Sequence, residues 1–416
     1  MANKKRVVVT GMGAITPIGI GVDEYWKGLA EGRNGVAPIT HFDASAFDTK
    51  FAAEVKGFNP ENYLDKKSIK RLDPFAQFAI ATAKMAIDDS GINFDKIDRE
   101  RFGVIYGSGI GGMETLQQQH WIYFQSGNPK NISPLFIPMM ISDIAAGQIS
   151  IHFGLKGPNY ATTSACATAS HAIADAFVWI QRGSADLIIC GGSEAAITEV
   201  SVAGFNAMKA ISTWNERYAE ASRPFDKDRN GFVMGEGAGT LILEELEHAL
   251  NRGAKIYAEI SGVGLTADAY HITAPAPGGE GAARSMREAI KDAELTVNDI
   301  DYINAHGTST QYNDVNETNA IKSVFGQRAY ELIISSTKSM TGHLLGAAGG
   351  IEAIATILAM NNNLIPPTIN LTTPDPECDL NYSPLKASPR EINAAISNTF
   401  GFGGHNASLL FKKYEE

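Results

Sequence analysis

Short runs of β-branched and apolar residues, several ending in glycine turns, alternate with alanine-rich stretches along the 416-residue chain. The runs fall at 6–9, 102–106, 187–190, 240–243, 256–260, 302–304, 332–335, 394–397 and 408–411, and the alanine-rich stretches at 74–89, 166–182, 282–293 and 350–360. This order predicts an α/β fold, because strands buried on both faces need helices to cover them. It also favours parallel strands.

A weak internal echo joins the two ends of the pattern: 6–13 closes on VVVTGMG, and 256–264 reads IYAEISGVG. Each copy is followed by a strand entering a glycine turn, at 104–107 and 302–307, and each series closes with what reads as an outer strand, at 240–243 and 408–411. We therefore expect two related halves, 1–254 and 255–416. Segments 48–73 and 113–142, rich in Gln, Pro, Met and aromatics, read as insertions over the first half that either shape a site or a subunit contact or are plain surface excursions.

The 46 acidic residues outnumber the 35 basic ones, for a net charge of −11. That balance opposes binding to nucleic acid or to an anionic membrane, so a polyanionic partner needs a local basic patch. Charged residues make up 19% of the chain, below the roughly 25% of average soluble domains, which argues against disorder and for some surface being covered in a dimer. Cys166, Cys190 and Cys378 form no CxxC pair, so neither a disulfide framework nor a Cys-rich zinc site is expected, and a reducing cytoplasm fits. The basic start, Met1 to Arg6, runs directly into strand residues without a signal-peptide apolar core, and no apolar stretch approaches the ~18 residues that span a bilayer.

Gly107-Ser108-Gly109-Ile110-Gly111-Gly112 satisfies the G-x-G-x-x-G spacing after a strand. The acidic residue that a dinucleotide site needs about 20 positions later is absent, and Asn128-Pro129-Lys130-Asn131 stands there instead. We read the loop as a turn that lets another chain segment or an acyl group approach its backbone closely.

Small and hydroxylated residues, Thr162 to Ala165, precede Cys166, which opens an alanine-rich stretch. In the first turn of a helix a cysteine meets unpaired N–H groups and the positive end of the dipole, which lower its pKa and offer donors to an oxyanion. A small buried core residue fits the same pattern. His306 and His343 both lie where predicted strands open into glycine-rich loops, the edge at which open α/β sheets place their sites. Two such histidines beside a candidate thiolate favour chemistry over structure.

The segment around Cys166, AHGTST at 305–310, KSMTGHLLGAAG at 338–349 and NTFGFGGHN at 398–406 together resemble the β-ketoacyl-acyl-carrier-protein synthases of the elongating Cys-His-His kind, over essentially the whole chain. Length and loops look most like synthase II, with synthase I the near neighbour, and His343 separates the chain from the initiating Cys-His-Asn relatives. The resemblance implies a thiolase-like fold, with two related βαβ halves stacked in a five-layer αβαβα arrangement. It further implies a cytoplasmic homodimer in fatty acid elongation, substrates carried on the phosphopantetheine of acyl carrier protein, and no metal or organic cofactor.

By the same resemblance Cys166 takes the acyl chain, and His306 and His343 stabilise the enolate formed when malonyl-carrier loses CO2. Lys338 keeps the histidines neutral or orders the site, and the Phe402 N–H joins that of Cys166 in an oxyanion hole. Thr308 and Thr310 hold the phosphopantetheine arm, Phe400 and Phe402 form a gate, and Ile110 and Phe205 line an acyl tunnel. Lys130 and Lys209 fall where the family docks its acidic carrier, and Lys66, Lys67, Lys70 and Arg71 cluster in one short run that either joins this basic dock or is a solvated charged face. His405 stands where many relatives carry Thr, a change expected to act on loop packing. The competing readings are a polyketide ketosynthase, a chain-length-factor subunit, which lacks the cysteine, and a Cys-His thioester hydrolase, which releases free acid.

Overall fold

The computed structural model describes residues 4–415, so Met1 to Asn3 of the basic start lie outside the described residues. Every predicted strand forms, and several outgrow the apolar run that announced them: 6–9 becomes Val7–Thr16, 187–190 becomes Leu187–Glu194 and 240–243 becomes Gly237–Glu245. The added residues are largely glycine and small side chains, kept extended by packing rather than propensity. A Cβ on Gly11 or Gly13 would lie 2.3 or 2.1 Å from the carbonyl oxygens of Ala86 and Thr82. The helix Pro74–Ser90 therefore rides directly on this strand.

One 11-stranded sheet runs Ile333–Ser335, Tyr302–Asn304, Ala394–Gly401, His405–Lys412, Ala258–Ala267, Val7–Thr16, Gly237–Glu245, Leu187–Glu194, Phe102–Gly107, Asn159–Tyr160, with Gly19–Ile20 attached to Val7–Thr16. Read outward from the central pair, the order is the same on both sides, and so is the order along the chain. The echo between 6–13 and 256–264 is thus a structural repeat, and its two copies pair antiparallel, Val7 opposite Ile260.

Two expectations are corrected. The closing strands are not outer ones, since Gly237–Glu245 and His405–Lys412 lie against the central pair. Nor are the strands uniformly parallel: Phe102–Gly107 and Tyr302–Asn304 run parallel to their neighbours, whereas the inner strands pair antiparallel. The reason is local in the second copy, where only Phe402, Gly403 and Gly404 separate two strands, a connection that permits only an antiparallel pair. Gly403 and Gly404, at φ 85° and 73°, supply the left-handed turn.

Helices Thr168–Gln181 and Ala348–Asn362 each touch strands of both copies, which places them between the two halves of the sheet. Pro74–Ser90 and Ile144–Phe153 cover one outer face, and Glu280–Asp292 with Gln311–Phe325 the other. The five layers expected are present, with one apolar core around the inner helices and one under each outer pair. Every residue from Ala348 to Met360 is buried, as a helix in a middle layer must be.

The 113–142 excursion lies on the surface: in helix Met113–Ser126 only Thr115 is buried, and Trp121 and Phe124 are 63% and 82% exposed. Among the described residues no helix is long and apolar enough to cross a membrane.

Candidate active site

Cys166 sits in the single 3-10 turn Ala165–Ala167 that feeds the inner helix Thr168–Gln181. The Thr168 hydroxyl wires this turn, accepting from the Ser164 N–H at 2.9 Å and donating to the Ala165 carbonyl at 2.8 Å. Ala165 takes a left-handed φ of 50°, a strained conformation held by that wiring. The expected lowering of the thiol pKa does not occur. Burial pushes Cys166 up to about 11, and the Lys338 charge and the N–H groups of Phe402 and Cys166 offset only part of that. The donors expected at a helix start are in place, but desolvation of the thiolate outweighs them.

The repeat puts a second turn of the same kind, Leu345–Ala347, ahead of the other inner helix, with Leu345 at φ 47°. His343 lies just before it. Its Nδ1 accepts from the Leu345 N–H at 3.3 Å, so a neutral ring carries its proton on Nε2, which lies 3.0 Å from Cys166 Sγ. The His306 ring stands at 84° to that of His343 with centroids 5.4 Å apart, and Phe232 and Phe400 back the two rings. His306 Nδ1 is buried without a hydrogen-bond partner among the described residues. The Glu317 carboxylate, pushed up to about 7 by burial, takes the His306 and Gly307 N–H groups at 2.8 Å each and fixes this loop.

Lys338 is buried in the site. It is 1% exposed, and its ammonium is bonded to Glu352, itself buried and pushed up to about 7. Burial drives both imidazoles well below the ordinary histidine range, and the Lys338 charge drives them further. Two neutral imidazoles beside a neutral thiol are the resting state.

All three reactive groups line a cavity of about 590 Å³ whose walls come from both copies of the repeat. Thr308 and Thr310 lie in its wall with their hydroxyls 2.9 Å apart, and Ile110, Phe205, Phe400 and Phe402 line it as well. Lys209 is exposed and is the one Lys or Arg in the lining, whereas Lys66, Lys67, Lys70, Arg71 and Lys130 are exposed elsewhere. Lys66 lies 3.6 Å from Glu61. His405 packs edge-on to His171, with ring centroids 6.3 Å apart.

Sequence reasoning missed Glu194, Glu317 and Glu352, together with Phe232 and Leu345 in the cavity wall. Glu352 carried a signal, as the one charge in the apolar run Gly349 to Met360. Glu317, in the polar segment QYNDVNETNA, carried none.

The ligand atoms of Cys166, His306 and His343 lie within 4.8 Å of one another, close enough to hold a metal ion. The hydrogen bonding does not fit one. A metal-ligating histidine normally donates its other ring N–H to an acceptor, but His343 Nδ1 faces a donor, so Nε2 offers a proton and not a lone pair. The ammonium of Lys338 also opposes a second cation beside it. The arrangement is built to donate hydrogen bonds to an anionic oxygen next to a sulfur nucleophile.

Residues 4–249 match the β-ketoacyl synthase N-terminal domain and 257–372 the C-terminal domain. The chain is 55% identical over 417 residues to a 3-oxoacyl-[acyl-carrier-protein] synthase 2 of Synechocystis sp., and 52% identical over 415 residues to one of Staphylococcus aureus, covering all of both chains in each case. Among solved structures, a β-ketoacyl synthase from Burkholderia phymatum aligns with TM-score 0.92 at 39% identity, covering 99% of this chain and 100% of that one. A type II polyketide ketosynthase in complex with its acyl-carrier protein aligns with TM-score 0.90 at 34% identity over the same shares.

Proposed function

The chain belongs to the β-ketoacyl synthase family, and from that premise we infer that it elongates fatty acids in the synthase II manner, condensing malonyl-carrier with an enzyme-bound acyl chain. The observation that carries the reading is the His343 Nε2–H at 3.0 Å from Cys166 Sγ, in a cavity shared with His306.

In the first half-reaction Cys166 attacks the acyl-carrier thioester, and the carrier thiolate leaves with the thiol proton. The N–H groups of Cys166 and Phe402, which face the sulfur, then meet the carbonyl oxygen as it gains charge. Malonyl-carrier next loses CO2, and the electrons of the breaking C–C bond become an enolate. His306 and His343 hold its oxygen through their Nε2–H groups, a stabilisation strongest near the transition state. The enolate carbon attacks the Cys166 thioester and expels the thiolate, which regains a proton. The product is a β-ketoacyl-carrier lengthened by one malonyl-derived unit. Lys338 supports the neutral imidazoles this needs, and no step calls for a metal or organic cofactor.

Thr308 and Thr310 suit the polar phosphopantetheine arm, and Ile110 and Phe205 suit the acyl chain. Phe400 and Phe402 flank Gly401 at the cavity wall and fit a gate. Acyl carrier protein is the partner, and Lys209 at the cavity, with Lys66, Lys67, Lys70, Arg71 and Lys130, is the dock we propose on this acidic body. The halves we propose are 1–254 and 255–416. We propose a cytoplasmic homodimer, its self-association supported by the exposed Trp121, Phe124 and Ile137 on the 113–142 excursion and by the open sheet edge Asn159–Tyr160. Sedimentation of the purified protein reads that state.

The chemistry is tested by incubating purified protein with acyl-carrier and malonyl-carrier and weighing the products. A lengthened β-keto thioester supports the reading, whereas free acid alone makes the protein a hydrolase and overturns it.

A further inference from the structure

The glycine loop 107–112 has the form of an anion cradle, and the anion is the protein's own. Glu194, the last residue of the strand Leu187–Glu194, is buried with its carboxylate in the loop. It accepts from Ser108 Oγ at 2.8 Å, from the Gly109 N–H at 2.9 Å and from the Ile110 N–H at 3.2 Å. A fourth donor arrives from the other copy of the repeat, the Gly346 N–H at 2.9 Å. Among the described residues no Lys or Arg bonds to this carboxylate.

These four donors tie together two backbone segments that both face the cavity. One carries Ile110 and the other carries Leu345, two residues beyond His343, and both side chains line the wall with Phe205 and Phe232. The two segments touch so closely that a Cβ on Gly346 would lie 2.3 Å from the Gly109 nitrogen, and one on Gly109 would lie 2.8 Å from the Glu194 carboxylate. Among the described residues no other side chain bonds to the Gly109, Ile110 or Gly346 N–H groups, so Glu194 is the side chain that bonds the Ile110 loop directly to the Leu345 turn.

We propose that Glu194 is a positioning residue that sets how long an acyl chain the cavity admits, by holding the Ile110 loop against the Leu345 turn. It touches neither substrate nor reacting atoms. An amide in its place keeps the size but brings N–H groups toward N–H groups, so the loop and turn separate and the wall loses its fixed spacing.

This inference rests on the acyl-transfer reading, but its test does not need turnover. Cys166 is alkylated in the full-length protein with N-alkyl iodoacetamides of graded chain length, and the adduct is followed by intact mass. In the unmodified protein the rate rises with alkyl length up to the depth of the cavity. Glu194→Gln is expected to lower the rate of the longest reagents about tenfold and that of iodoacetamide itself less than twofold. Ser108→Ala, which removes one donor to the same carboxylate, should move the profile the same way by about two- to threefold, and it decides the matter if Glu194→Gln does not fold. An equal fractional loss at every length, or no change at any, overturns the proposal. A protein that makes no condensation product yet shows the length-dependent change loses the functional reading and keeps this one.

Discussion

His343 presents a proton, not a lone pair, to the sulfur of Cys166: its Nε2 lies 3.0 Å from Sγ while its Nδ1 accepts from the Leu345 N–H. A histidine serving as general base toward the thiol would need the opposite tautomer. The pair is arranged for the chemistry after acylation, when an oxygen that gains charge takes the place next to the ring.

The two half-reactions should therefore separate. Cys166→Ala removes the acyl acceptor and leaves the donors in place. Condensation should fall on the order of 10³-fold or more, while CO2 release from malonyl-carrier stays within a few-fold of the starting protein. Normal condensation in this variant would sink the nucleophile assignment.

Removal of either histidine should do the reverse to the decarboxylation step. His306→Ala and His343→Ala are each expected to slow CO2 release by about 10²–10³. Cys166 alkylation by iodoacetamide stays measurable in both, which separates loss of the donor from loss of the fold.

Burial first, and the Lys338 charge second, keep both imidazoles neutral, because both disfavour the protonated ring. Decarboxylation should then show no acid limb near the ordinary histidine pKa of about 6.5. Lys338→Met takes away the cation but not the burial, so both histidine pKa values rise while staying below the ordinary value, and the acid limb of the activity should move to higher pH than in the unmodified protein. A pH–rate profile that is superimposable on that of the unmodified protein would show that the ammonium does not control these rings.

Much of the fold was legible because strands and helices leave period and composition in the sequence. The sheet order was not, since Gly237–Glu245 and its partners are chosen by contacts distant along the chain. In the site, Cys166, His306 and His343 stand out by their places at element ends, whereas the direction of the thiol's pKa does not, because local sequence shows a helix start and not burial. Glu194 stayed hidden for a related reason: its meaning lies in the N–H groups of residues 109, 110 and 346, which no single segment displays.

The ion pair between Lys338 and Glu352 is buried at both ends. Lys338→Met leaves a carboxylate inside an apolar helix without its cation, at a cost of about 3–5 kcal/mol. Adding Glu352→Gln should recover a large part of that, so the double variant is expected to unfold at higher urea than Lys338→Met alone.

Close backbone contact gives a further prediction for stability. Gly346→Ala puts a methyl group 2.3 Å from the Gly109 nitrogen and should cost about 1–3 kcal/mol. Gly147, in the helix Ile144–Phe153 with nothing within 4 Å of a new Cβ, should gain about 0.5–1 kcal/mol as Ala. Thermal melts of the two variants should move in opposite directions.

The inner helix Ala348–Asn362 also dictates an order of assembly. With every side chain from Ala348 to Met360 enclosed, it has no wet face on which to rest while the chain is incomplete, so it settles only when both parts of the sheet stand around it. Glu352 arrives with it, and the ammonium of Lys338 gains its partner in that same event. A half-built molecule thus lacks the electrostatic setting of its histidines along with part of its core. Newly made protein in which this helix has not yet docked is therefore expected to be inert and to expose one of its most water-averse segments to its neighbours.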